Sequence, residues 1–176
     1  MTLAILLIIL NFTKSIILRV KKASPFCATI FLMQKGVDFT GVCVVFYCHD
    51  GKGNFLMSKR NKNCRDEHGT WDPGGGGIEF AIPIEKNLRE ETKQEYCTDV
   101  HDYEFLGFRD VHREHDGKKT HWIALDFKVL VDPSTVKNGE PHKFDEVKWF
   151  TLDTLPSPLH SQMPEFIKLY EKKLRA

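Results

Sequence analysis

The hydrophobic pattern changes period several times along the chain, and each change marks an element. Thr40 to Cys48 (TGVCVVFYC) is a run of β-branched and aromatic residues, the composition of a central strand. HDGKGN follows, a turn signal built on Asp50-Gly51, and Phe55 to Arg60 reads as the returning strand. Asn61 to Thr70 is polar and loop-like. Pro83 to Tyr96 carries a helical period, with Pro83 suited to a first turn. Val100 to Arg113 and His121 to Val131 predict two strands joined at His115-Asp116-Gly117-Lys118. Pro133 to Lys143 is a long loop, and Val147 to Thr151 a short strand. Pro164 to Leu174 is an amphipathic helix with Phe166, Ile167, Tyr170 and Leu174 on one face. Mixed strands with two helices imply an α/β sandwich.

Two segments do not fit a regular period. Gly74 to Gly77 is four glycines in a row after Trp71-Asp72-Pro73. Such a run is not expected in the interior of a helix or strand, so it predicts a place where the backbone turns sharply or approaches something closely. Leu3 to Leu10 is apolar but too short to span a bilayer, and Lys14 and the charges after it follow the apolar run rather than preceding it as in a secretory signal. Residues 1–32 show no strand alternation. Three readings stay open for them, a weak membrane anchor, an acid-poor targeting segment or an apolar and basic extension upstream of the domain; the last is favoured, with the domain proper at 33–176 and membrane contact not expected.

Composition narrows the function classes. The chain has 176 residues, 41% hydrophobic and 28% charged, which fits one globular domain. A net charge of +1 provides no field for a nucleic-acid polymer. Its cysteines number five, an odd count with no CxxC pair, which argues against a disulfide framework or a zinc site and for a reducing, cytoplasmic setting.

The chemistry concentrates on the helix at 83–96. At about 100° per residue, Ile84, Leu88, Glu91 and Glu95 fall within one arc, while Lys86, Arg89, Glu90 and Lys93 face the other way. Carboxylates in an apolar stripe need a cation or hydrogen-bond donors. Glu91 and Glu95 are neighbours at i, i+4 and offer hard oxygen ligands suited to Mg2+ or Mn2+. The competing reading is a solvated acidic pair at the edge of the stripe; the glycine run just before the helix weighs against it.

Gly76 through Thr98 (GGIEFAIPIEKNLREETKQEYCT) resembles the Nudix box, G-x5-E-x7-R-E-U-x-E-E-x-G-U with U aliphatic. In the best register the box glycine is Gly76, its first glutamate falls on Ile82, its Arg-Glu on Glu90-Glu91, its final Glu-Glu on Gln94-Glu95, and its closing glycine on Cys97. A rival register with Arg89-Glu90 on the Arg-Glu would put Lys93 and Gln94 where two acids belong and turn Glu90 to solvent. Trp71 to Gly75 resembles the segment before the box, and Glu146-Val147-Lys148-Trp149 the late strand, so the likeness runs from about Val37 to the end. It implies a Nudix-type α/β/α sandwich with a mixed central sheet. It implies a metal-dependent hydrolase that cleaves a diphosphate linkage in a nucleoside diphosphate derivative, with nucleoside triphosphates as the default class of small-molecule substrate.

The resemblance also implies roles. Glu91 and Glu95 would be the catalytic and metal-holding acids, with Gln94 and the Gly76 carbonyl as further ligands. Asp145 and Glu146 lie where family members often place acids for substrate contact, against the even alternative of a charged loop end, and Gly75 belongs to the glycine run whose backbone could approach the substrate. By its charge alone Arg60, like Lys62, suits a phosphate, a plain surface role being the equal alternative. Ile82, Glu90, Gln94 and Cys97 depart from the pattern, and Glu90 replaces an arginine that orients the adjacent glutamate, which implies weakened activity. A degenerate box also fits a fold that binds nucleotide or protein without turnover. Isomerase chemistry on a prenyl diphosphate would need a cysteine, for which Cys64 is the nearby candidate. His112, His115 and His121 flank the second hairpin and read as exposed residues rather than zinc ligands. Trp71, Trp122 and Trp149 read as core.

Overall fold

The computed structural model describes residues 16–24, 27–115 and 117–176, with side chains at 33–114 and 117–176. Leu3 to Leu10, the His115 side chain and Asp116 lie outside the described residues. β1 (Ile16–Ser24) and β2 (Cys27–Gln34) pair antiparallel as a sheet of their own, with Ile16 opposite Gln34. This differs from the sequence reading of a segment without strand character. Two strands that close their hydrogen bonds on each other need no alternating apolar face.

The main sheet is built around β3 (Gly41–His49). β3 and β4 (Asn54–Arg60) register at His49 opposite Phe55, beside the turn, and then diverge. The glycine-rich segment fills the resulting wedge. β5 (Trp71–Asp72) pairs with β4, Pro73 follows, and β6 (Gly74–Gly77) pairs antiparallel with β3 from Phe46 to Cys43. The four glycines are therefore a strand, contrary to expectation. What makes them one is the open edge of β3, and what requires glycine is crowding: a Cβ on Gly74 would run into the Phe46 ring. Beyond helix α1 (Ile84–Tyr96) come β7 (Val100–His115) and β8 (Lys118–Val131), a long hairpin whose second strand runs parallel to β3. β9 (Phe144–Thr151) pairs with the outer side of β4, and α2 (Met163–Arg175) closes the chain.

Strand alternation assigns the two faces of this sheet to the two helices. On β3, Val44, Phe46 and Cys48 point to one face and pack with Leu56, Leu88, Tyr96 and Val129 under α1. Tyr47 points to the other and packs with Phe55, Met57, Phe166 and Tyr170 under α2. The Tyr47 and Phe166 rings stack at 3.4 Å. The result is the expected α/β/α sandwich. Among the described residues no helix is long and apolar enough to cross a membrane.

The β1–β2 hairpin registers within itself rather than in the seven-stranded sheet. A chain beginning at Met33 keeps the Lys35–Phe39 bridge and all of the main sheet. It is expected to melt within a few degrees of the full chain; a large loss of Tm in a thermal scan would show that residues 1–32 stabilise the domain.

Candidate functional site

Helix α1 begins after Pro83, whose φ of −57° is already suited to a first turn. Its buried stripe is Asn87, Leu88, Thr92, Glu95 and Tyr96. Ile84, read as part of that stripe, is exposed because the first turn lies at the edge of the packed region. The helix ends at Cys97, with φ 57° in the left-handed region, where the box pattern has glycine, the residue that adopts this conformation at no steric cost.

Glu95 is 5% exposed. Its carboxylate accepts a hydrogen bond from the Gly75 backbone N–H at 3.2 Å. Burial, reinforced by Glu140 and Glu91, pushes its carboxyl well above the usual carboxylate range despite that hydrogen bond. Glu91 lies against Gly76: a Cβ there would collide with the Glu91 carboxylate, so the missing side chain of the strand is the space the acid occupies. A buried carboxylate crowded by two others is a donor set that a divalent cation relieves. Three hard oxygens fit magnesium or manganese better than softer ions.

Glu140 belongs to the loop between β8 and β9, and sequence reasoning missed it. It is 4% exposed and accepts two hydrogen bonds from Lys143 and one from Gln94 Nε2, each at 2.8 Å. The loop is brought there by the end of α1. Lys137 N–H donates to the Tyr96 carbonyl at 3.0 Å and Gly139 N–H to the Glu95 carbonyl at 2.8 Å, satisfying carbonyls that a helix C-terminus leaves open. No local sequence signal marks this pairing. Gln94 is exposed, with its amide turned to Glu140, and Glu90 pairs with Lys86 on the solvent face at 3.8 Å.

Beside the acids opens a cleft of about 220 Å³. Gly75, Gly76 and Glu95 form one side of it, with Cys43, Tyr47 and Trp122 among its other walls. Trp122 is thus a cleft residue rather than a core residue, with the Arg65 guanidinium 5.6 Å from its ring. Trp71 is buried as expected, and Trp149 is partly buried against the α1-side core. Arg60 reaches the cleft but is held by Asp66 at 2.8 Å and Asp72 at 3.2 Å. Arg113 reaches Asp66 at 3.1 Å and Glu67 at 2.9 Å. The cleft floor contains Arg109, which grips Asp126 through two hydrogen bonds of 2.9 and 2.8 Å. Burial pulls the Arg109 guanidinium down, but its bonds to Asp126 outweigh this and hold it above its ordinary value.

Other expected site residues lie elsewhere. Glu146 pairs with Lys59 at 3.4 Å and with Lys148, and Asp145 is exposed beside it; neither lines the cleft. Cys64 donates to the Lys143 carbonyl at 3.2 Å and does not line the cleft either. Cys43 does, but burial pushes its thiol up to about 12, so it stays a neutral wall atom.

Known proteins share this fold. No curated protein matches the chain. Its fold is similar to the crystal structure of a MutT NUDIX hydrolase from Burkholderia pseudomallei, with a TM-score of 0.66 and 23% identity over 74% of this chain and 98% of that one. It is also similar to a MutT protein from Methanosarcina mazei Go1, with a TM-score of 0.65 and 21% identity over 78% of this chain and 96% of that one. The model of the NUDIX domain matches residues 39–170, well over half of the sequence, and the chain belongs to that family.

Proposed function

We propose that this chain is a metal-dependent hydrolase acting on a diphosphate linkage in a nucleoside diphosphate derivative, with nucleoside triphosphates the first class to test. The observation that carries this reading is the gathering of Glu91, Glu95 and Glu140 beside a cleft walled in part by glycine backbone. Glu91 and Glu95 would hold a magnesium or manganese ion, with the Gly76 carbonyl and Gln94 as further candidates. When bound, such an ion neutralises phosphate charge and acidifies a water for attack on phosphorus. The protein's part is placement. The Gly75 N–H fixes the Glu95 carboxylate, Gly76 leaves room for Glu91, and bare backbone at β6 lets a phosphate come close. Arg60 and Arg113 put positive charge in the cleft, already shared with Asp66. Cys43, Cys48, Cys64 and Cys97 are free thiols, which supports a reducing setting.

The altered box supports weakened turnover. Glu90 supplies a negative charge next to Glu91 where the box has arginine, and Gln94 lacks the charge of the acid it replaces. The triple change Ile82→Glu, Glu90→Arg and Gln94→Glu is expected to raise magnesium-dependent turnover at least about tenfold, a barrier change of about 1.4 kcal/mol. The decisive measurement is hydrolysis of a nucleotide panel with and without magnesium, by the native and the triple-substituted chain. Equal rates would show that the substitutions are neutral. No turnover by either would favour a binding module that holds nucleotide without cleaving it.

A further inference from the structure

β7 and β8 present different chemistry on their two faces. Residues Arg109, Val111 and Arg113 of β7 line the cleft, as do Trp122 and Ala124 of β8. By strand alternation their immediate neighbours Asp110, His112 and His121 face the opposite way. His112 and His121 sit directly opposite each other in the ladder, and Asp110 is two residues before His112 on the same strand.

The three side chains converge. His121 Nε2 lies 2.8 Å and His112 Nε2 3.1 Å from the same atom, Asp110 Oδ1. The imidazole rings lie 4.2 Å apart and 21° from parallel. One ligand atom from each of the three falls within 4.8 Å of the others. A tetrahedral zinc ion with bonds of about 2.0–2.1 Å sets its ligand atoms roughly 3.3–3.4 Å apart, so small side-chain rotations turn this hydrogen-bonded trio into a chelate.

A fourth residue supplies the outer contact. His121 Nδ1 lies 3.0 Å from Oγ1 of Thr40, the residue just before the neighbouring strand β3. When an ion takes the place of the Nε2 proton that faces Asp110, the ring proton moves to Nδ1 and is donated to Thr40, the arrangement in which a histidine binds metal. His112 and His121 are 65% and 40% exposed, so an ion has access from solvent and the fourth position is open to water.

We propose that Asp110, His112 and His121 form a peripheral site for a borderline divalent transition ion of the zinc class, positioned by Thr40 and separate from the glutamates of α1. Two imidazole nitrogens and one carboxylate oxygen favour zinc, nickel or copper over magnesium. The ion would join β7 to β8 on the back of the strands whose other face walls the cleft.

The test uses the full chain labelled with 13C and 15N at its eight histidines, titrated with zinc in excess magnesium so that the hard-oxygen carboxylates of α1 are not the limiting site. The expected result is saturation at one zinc per chain, with the ring signals of His112 and His121 shifting together. Assignment comes from H112Q and H121Q, each of which should abolish that saturable event. Thr40→Val, which removes the outer hydrogen bond, should weaken binding by about tenfold. The exposed positions of both histidines keep the variants folded, checked by circular dichroism. Unshifted signals at His112 and His121, or undiminished zinc uptake in H112Q and H121Q, overturns the site.

Discussion

Gly76→Ala is expected to lower magnesium-dependent turnover about a hundredfold while leaving the protein folded, a barrier rise of about 2.7 kcal/mol. The cause is steric and local. The added methyl group would occupy the position of the Glu91 carboxylate, both oxygens included, and the acid must move by something on the order of 1 Å, the scale of misplacement that costs about this much. Glu91→Gln and Glu95→Gln remove charge without adding bulk and are expected to weaken magnesium binding as well as turnover. Titration calorimetry with magnesium, beside steady-state rates on one nucleotide, reads both effects. Wild-type magnesium affinity in Gly76→Ala, Glu91→Gln and Glu95→Gln together would remove these residues from the metal site.

The largest stability effect is expected from Asp126→Ala. Arg109 and Asp126 are 4% and 0% exposed and bonded two-to-two. Removing the acid leaves a guanidinium under the cleft floor with only long contacts to Gln162, at 3.3 and 3.4 Å, and a place over the Phe166 ring. An uncompensated buried charge of this kind costs about 3–5 kcal/mol. Asp126→Leu combined with Arg109→Met removes both charges and is expected to recover most of that loss. Urea unfolding of the single and double variants measures it. A single variant as stable as the native chain would mean that water reaches the pair.

The parts of this fold that could be read in advance are those whose side chains state their own environment. β3 alternates between two cores, α1 carries its acids at i, i+4, and α2 shows one apolar face, so each is local information. The misread parts depend on partners far away in sequence. Four glycines carry no alternation, and β6 is a strand because β3 offers an edge where β4 has turned away. Glu140 is 45 residues from Glu95, and only the folded loop brings the two together. Trp122 looks like any buried strand tryptophan until Gly36 and Gly41 are seen to leave room for its ring at the mouth of the cleft. Cys97 takes the left-handed conformation at the helix end, a backbone feature that its own side chain does not announce.

The loop from 132 to 143 carries a constraint that loops usually escape. Surface connections drift in length because nothing depends on their spacing. Here Lys137 and Gly139 are fastened to successive carbonyls at the end of α1, and a side chain at Gly139 would strike the Gln94 carbonyl. One residue later the chain must deliver Glu140 beside Glu95. An insertion at 138–140 would therefore act as a point mutation of the acidic cluster. Length variation among descendants of this chain should collect at 133–134 instead, upstream of the 2.7 Å hydrogen bond that ties Thr135 to buried Thr98.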